Sequence, residues 1–202
     1  MKSKAKSKAK KTARKLVTKP ARRKAAPKKV APKKVDEAAM MAAWQKAMTP
    51  AEGHRRLEPF VGSWHAKGTF TMAPGAPPEI SDGTSETRWV LGGRFLEQRY
   101  QSFLMGMPFE GLGYTGYDNV RGKYVGTWMD TFSTGIMPSI GVGKTKATAF
   151  DSVSECLEPS GKKVVFDCKL KVVDNDHHNW EMWCKGPNGK RYRAMLIEYT
   201  RK

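Results

Sequence analysis

From Gly62 onward the chain alternates between apolar and polar positions. One face of the first run carries Trp64, Ala66, Gly68, Phe70 and Met72, and the other Ser63, His65, Lys67, Thr69 and Thr71. A period of two is the mark of a half-buried strand. "KVVFDCKLKVV" repeats it, setting Val164, Phe166, Cys168, Leu170 and Val172 against Lys163, Asp167, Lys169 and Lys171. "TSETRWV", "RFLEQRYQSF", "FEGLGYTGYD", "KYVGTWMD", "KTKATAF", "HNWEMWC" and "KRYRAMLIEYTR" supply the rest. Turn signals part them at Leu91-Gly92-Gly93, Asp118 to Gly122, Pro159-Ser160-Gly161, Asp174 to Asp176 and Pro187-Asn188-Gly189. The last contains Asn-Gly, a strong hairpin signal. About nine strands with short connections predict an all-β fold, an antiparallel up-and-down meander whose edges vanish if it closes into a barrel.

Upstream the period changes. "DEAAMMAAWQKAM" is Ala-rich with acidic residues in its first turn and predicts a short helix. Thr49-Pro50-Ala51-Glu52 predicts a second one, with Thr49 as N-cap, Pro50 at the first helical position and Glu52 closing a capping box, running to about Pro59.

Charge divides the chain. Residues 1–35 hold sixteen of the 37 Lys and Arg and no acid, whereas the remainder carries 21 basic and 19 acidic residues. The first segment has too few apolar residues to offset the entropy of ordering, which predicts a basic tail disordered on its own. The expected organisation is a tail over 1–35, a helical linker with capping helices over 36–59 and a barrel over 60–202. The tail's spacing by Ala, Pro and Ser resembles the tails of linker histones and bacterial histone-like proteins. Lys8, Lys10, Lys11, Arg14, Lys15 and Arg22, followed by Arg23, Lys24, Lys28, Lys29, Lys33 and Lys34, would meet nucleic-acid phosphates without reading sequence. No apolar run marks a secretory signal or a membrane-spanning helix.

Candidate chemistry is sparse. Cys156, Cys168 and Cys184 have no CxxC spacing; a bridge between Cys168 and Cys184 on neighbouring strands is conceivable, but free thiols and no export signal fit a reducing cytoplasm, with the tail pointing to the nucleoid. Gly111-Leu112-Gly113-Tyr114-Thr115-Gly116 matches G-x-G-x-x-G, but a turn and a strand follow it, so its glycines are read as thinning a strand. "PSIGVGKT" lacks the first glycine of a phosphate-binding loop. His65 is expected to point outward, and His177-His178 to sit in a tight polar turn after Asp174-Asn175-Asp176. No metal site, cofactor or catalytic residue is expected, although a barrel can assemble an enzyme site from scattered residues.

"FVGSW", "MAPGAPPEISDGTSETRWVLGGRFLEQRY", "GMPFEGLGYTGYDNVRGKYVGTWMD" and "YTRK" together resemble the bacterial family of domains of unknown function numbered 1579, over roughly residues 50–202. More distantly, Gly62-Ser63-Trp64 resembles the start of calycin barrels, which include lipocalins and nitrobindin-like haem proteins. The lipocalin likeness implies Gly62 and Trp64 at a barrel floor, with Arg191 or Arg193 stacked on the tryptophan. The haem branch is the alternative, though residues 190–200 contain no histidine. The other end is expected to gather the loops at 73–82, 104–109, 130–143 and 174–177, and the helix-capped end those at 91–93, 118–122, 151–161 and 185–189. An apolar or amphipathic ligand would enter past Phe70, Met72, Met105, Met107 and Met137, with Trp128 as stacking wall and Asp130 as polar anchor.

Overall fold

The computed structural model describes residues 36–142 and 148–202. The basic segment 1–35 and residues 143–147, which take in Gly143 and the first part of "KTKATAF", lie outside the described residues.

The chain forms a closed antiparallel barrel of ten strands in sequence order. They are β1 (Gly62–Phe70), β2 (Glu79–Val90), β3 (Phe95–Leu104), β4 (Met107–Asp118), β5 (Lys123–Asp130), β6 (Met137–Gly141), β7 (Ala149–Leu157), β8 (Lys163–Val172), β9 (His177–Lys185) and β10 (Arg191–Arg201). β1 pairs with both β2 and β10, from Gly62↔Thr87 to Phe70↔Glu79 and from Trp64↔Arg201 to Phe70↔Met195. An all-antiparallel barrel needs an even number of strands, because each neighbour reverses direction.

The strand missing from the pattern is β6. Its five residues include Pro138, and it pairs Trp128↔Met137 and Ser139↔Ser154 with its neighbours. Proline has no N–H to give a ladder, so the segment reads as loop. β7 likewise runs to Leu157, through the segment expected to be loop. The extra strand reverses every later loop. The turns at 158–162 and 186–190 belong to the open end, the mouth, and 173–176 belongs to the helix-capped floor.

Ahead of the barrel lie α1 (Glu37–Met48), α2 (Glu52–Arg55) and a 3-10 turn over Glu58–Phe60. α1 is capped by Asp36 and tied at its C-terminus by Asn119, whose Nδ2 donates to the carbonyls of Lys46, Ala47 and Thr49. The second helix is one turn long. Thr49 Oγ1 donates back to Gln45 O instead of capping it, and His54 Nδ1 accepts from Ala51 N. Leu57 and Phe60 then drop into the floor, packing with Leu96, Tyr124 and Phe150. Above them one wall is filled by Trp64, Ala66, Tyr100, Ile197 and Tyr199. Among the described residues no helix is long and apolar enough to cross a membrane.

Candidate functional site

The floor is sealed by aromatic packing. Trp64 is 1% exposed and its Nε1 donates to Phe60 O at 3.0 Å. Arg201 stacks on it, guanidinium carbon 4.1 Å from the ring centroid, while Nη1 donates to Val61 O at 2.8 Å and Nη2 to Asn175 O at 2.9 Å. Gly62, at φ +133°, makes room: a Cβ there would stand 2.5 Å from Arg201 Nη1. The arginine is therefore neither Arg191 nor Arg193. β10 runs from mouth to floor, so those two lie at the opposite end. A bulge between Arg193 and Met195 turns Arg193 outward while keeping Met195 inside. Arg191 pairs with Asp167 at 2.9 Å and Arg193 with Glu181 at 3.6 Å.

His178 also belongs to the floor. Val172↔His178 and His178↔Tyr199 register it one residue into β9, facing inward. Its ring stacks on Tyr199 with centroids 4.3 Å apart and meets the Trp64 and Phe60 rings edge-on. Burial, reinforced by the Arg201 charge, pushes its pKa down to about 3, so the ring is neutral. His177, in contrast, is exposed, with Nδ1 2.8 Å from Asp174 Oδ1. His65 is exposed on the outer face and His54 is buried beside Tyr117. These residues do not fit a haem. β10 carries no histidine, and the one histidine ring inside the barrel is locked between Tyr199, Trp64 and Phe60.

The half of the interior toward the mouth is different. Trp128, Met137, Cys156 and Phe166 point inward by strand register, as do Trp180, Met182, Cys184 and Met195, yet all eight are only half-buried. An inward side chain near the open end of a closed barrel keeps solvent contact through that opening. The lining is aromatic and sulfur-rich, and such side chains adapt to irregular apolar shapes. The three thiols are free, and burial raises the pKa of each, that of Cys168 to about 11. They are neutral thiols and poor nucleophiles.

Trp128 owes its place to the G-x-G-x-x-G run. Gly111 and Gly113 on β4 pass directly beneath its ring, and a Cβ at either would collide with it. The glycines thin the strand so that an indole can lie inside the barrel. Trp128 Nε1 donates to Asp130 Oδ2 at 2.9 Å, and Asp130 Oδ1 accepts from Phe132 N at 3.0 Å. Edge-to-face contacts then run Trp128–Tyr100–Phe109–Phe132 to the rim.

Of the expected pocket residues, Phe70, Trp128, Asp130 and Met137 face inward in the mouth half, with Trp128 and Met137 directly paired and Phe70 on β1 across the ring from them. Met72, Met105 and Met107 stand in solvent at the rim, 73%, 56% and 49% exposed. Met182 and Met195 line the interior in their place. The alternation of Trp180, Met182 and Cys184 was the signal for the first; the bulge hides the second.

The family model described as Protein of unknown function (DUF1579) matches residues 49–201. No curated protein matches the chain. Among solved structures, the crystal structure of Rv2717c from M. tuberculosis superposes with TM-score 0.57 at 17% identity, covering 76% of this chain and 99% of that one. A redesigned beta barrel aligns with TM-score 0.41 at 12% identity, covering 73% of this chain and 96% of its own. At 17% identity the likeness to the first of these is one of fold alone.

Proposed function

The chain belongs to the DUF1579 family of proteins of unknown function, and from that premise we propose that it is a non-catalytic binding barrel for a small apolar or amphipathic molecule. One observation carries the reading: toward the mouth of a closed barrel the inward side chains of Trp128, Phe166, Trp180, Met137, Met182 and Met195 stay only half-buried. A barrel mouth with such a lining and a few polar groups is a favoured ligand site. The sealed floor leaves one way in. Native mass spectrometry of the purified full chain, with titration of a neutral fluorescent apolar probe, tests it. We expect a mass above that of the bare polypeptide and saturable probe uptake; a bare mass together with no uptake overturns it.

The sixteen cations of residues 1–35 support a second part of the reading, a sequence-independent hold on nucleic acid. With about 8 phosphate contacts, log affinity falls against log salt with a slope of about −7. Gel shifts comparing the full chain with a variant lacking residues 1–35 test this, and equal binding by both sinks it.

A further inference from the structure

We propose that the barrel's ligand is an organic cation, an ammonium-type head on an apolar body, with the head held at the mouth by Asp130 among Trp128, Phe109 and Phe132. This rests on the ligand-binding reading above and names its chemical class.

The argument begins with charge. Among the described residues, the side chains that strand register turns inward include three charged ones, Arg201, Asp130 and Glu79. Arg201 is spent at the floor, beneath Trp64, on the carbonyls of Pro59, Val61 and Asn175. The open half therefore presents no cation to a ligand carboxylate or phosphate. It presents two carboxylates, Asp130 and, at the mouth end of β2, Glu79, which accepts from Met105 N at 2.7 Å, and no salt bridge among the described residues involves either. The Asp130 oxygens accept one hydrogen bond each, from Trp128 Nε1 and Phe132 N, which fix its position and leave lone pairs free.

Its surroundings suit a cation in a second way. Phe132, next but one in sequence, meets Phe109 edge-on at 5.1 Å, and Phe109 meets Tyr100 at 6.0 Å, which in turn meets Trp128 at 6.4 Å. Ring faces attract cations, most strongly where water is excluded. A carboxylate at one end of a chain of aromatic side chains, over an apolar, thioether-rich lining, matches a molecule with a positive head and an apolar body. An anionic amphiphile such as a fatty acid would bring its own charge against Asp130 and find no partner.

The test uses the full chain, a neutral fluorescent reporter (N-phenyl-1-naphthylamine) and competitors sharing one tail: dodecyltrimethylammonium, dodecanol and dodecanoate, below their micelle concentrations. The cation should displace the reporter at about a tenth of the concentration of the alcohol, and dodecanoate should be the weakest. In Asp130→Asn, which keeps an oxygen for Trp128 Nε1, the cation-to-alcohol ratio should fall to near one. Asp130→Glu should keep the preference, and thermal melts report whether each variant folds. Equal displacement by all three, preference for dodecanoate, or a ratio unmoved in Asp130→Asn overturns the proposal while leaving the binding barrel standing. Failure of the chain to take up the reporter and every competitor removes both.

Discussion

Arg201 lies across Trp64 with its guanidinium carbon 4.1 Å from the ring centroid, joining the last turn of β10 to the first turn of β1. The contact closes the barrel seam at the floor, and the same guanidinium ties down the carbonyls of Pro59 and Val61. Arg201→Ala should cost about 2–4 kcal/mol in urea unfolding, combining the lost cation–π contact with acceptors left unpaired. Arg201→Lys keeps the charge but not the planar fork, so it should recover less than half. A loss within experimental error for the alanine variant would show that the seam does not depend on this stack.

Gly111 and Gly113 are spacers for an indole. Gly111→Ala drives a methyl into the Trp128 ring and should destabilise by about 1–3 kcal/mol, the usual range for overpacking. Pairing it with Trp128→Phe should restore part of the loss, since the ring that is struck becomes smaller. If the two substitutions add independently in melts, the collision is not the cause.

His178 gives the fold a defined acid sensitivity. Its folded pKa of about 3 lies below its ordinary 6.5, chiefly through burial. As pH falls below 6.5 the unfolded chain takes up the proton and the folded one does not. The stability held above that pH is therefore lost progressively down to about 3, a few kcal/mol in all. His178→Phe should flatten this part of the stability curve. The carboxylates of Glu97, Asp118 and Asp174, held below their ordinary range by hydrogen bonds and neighbouring cations, titrate in both proteins and cancel from the difference. Parallel curves for the two proteins between those pH values would contradict the assignment.

Much of this fold is legible in the sequence, and the failures have identifiable physical causes. Alternation finds β1 and β8 because each has one buried and one wet face. It misses β6, since Met137-Pro138-Ser139-Ile140-Gly141 carries a proline and a glycine in five residues. That omission moves every later loop to the wrong end of the barrel. His178 hides behind Asp174-Asn175-Asp176-His177, where polarity signals a turn and register decides which residue already belongs to the strand. Arg201 hides because the bulge at Ala194 breaks the period in β10 and because tertiary contact, not spacing, selects the arginine that reaches Trp64. Trp128 and Asp130 were legible as same-face neighbours, but Met182 and Met195 needed the closed ring of strands.

The β3–β4 hairpin carries a residue that its turn does not want. Met105 and Gly106 sit at φ +54° and +72°, the two left-handed positions of a tight two-residue hairpin, where Asn-Gly is preferred. Met105 is 56% exposed, so little packing compensates. Met105→Asn should stabilise the barrel by about 0.5–1 kcal/mol. A lower melting temperature would show that the methionine makes a contact in solution that outweighs its backbone strain.

β1 starts where β10 stops, and Lys202 N donates to Ser63 O at 2.9 Å. The covalent break in the ring of strands therefore falls at the floor, and the rim is built wholly from uninterrupted hairpins. A linker running from Lys202 to Asp36, which keeps the segment carrying Leu57 and Phe60, with new termini opened in the Pro187-Asn188-Gly189 turn, would give a circular permutant that keeps all ten strand pairings. A reporter fused after Lys202 would stand at the opposite pole from the opening, so the barrel could be immobilised or labelled there with its entrance unobstructed.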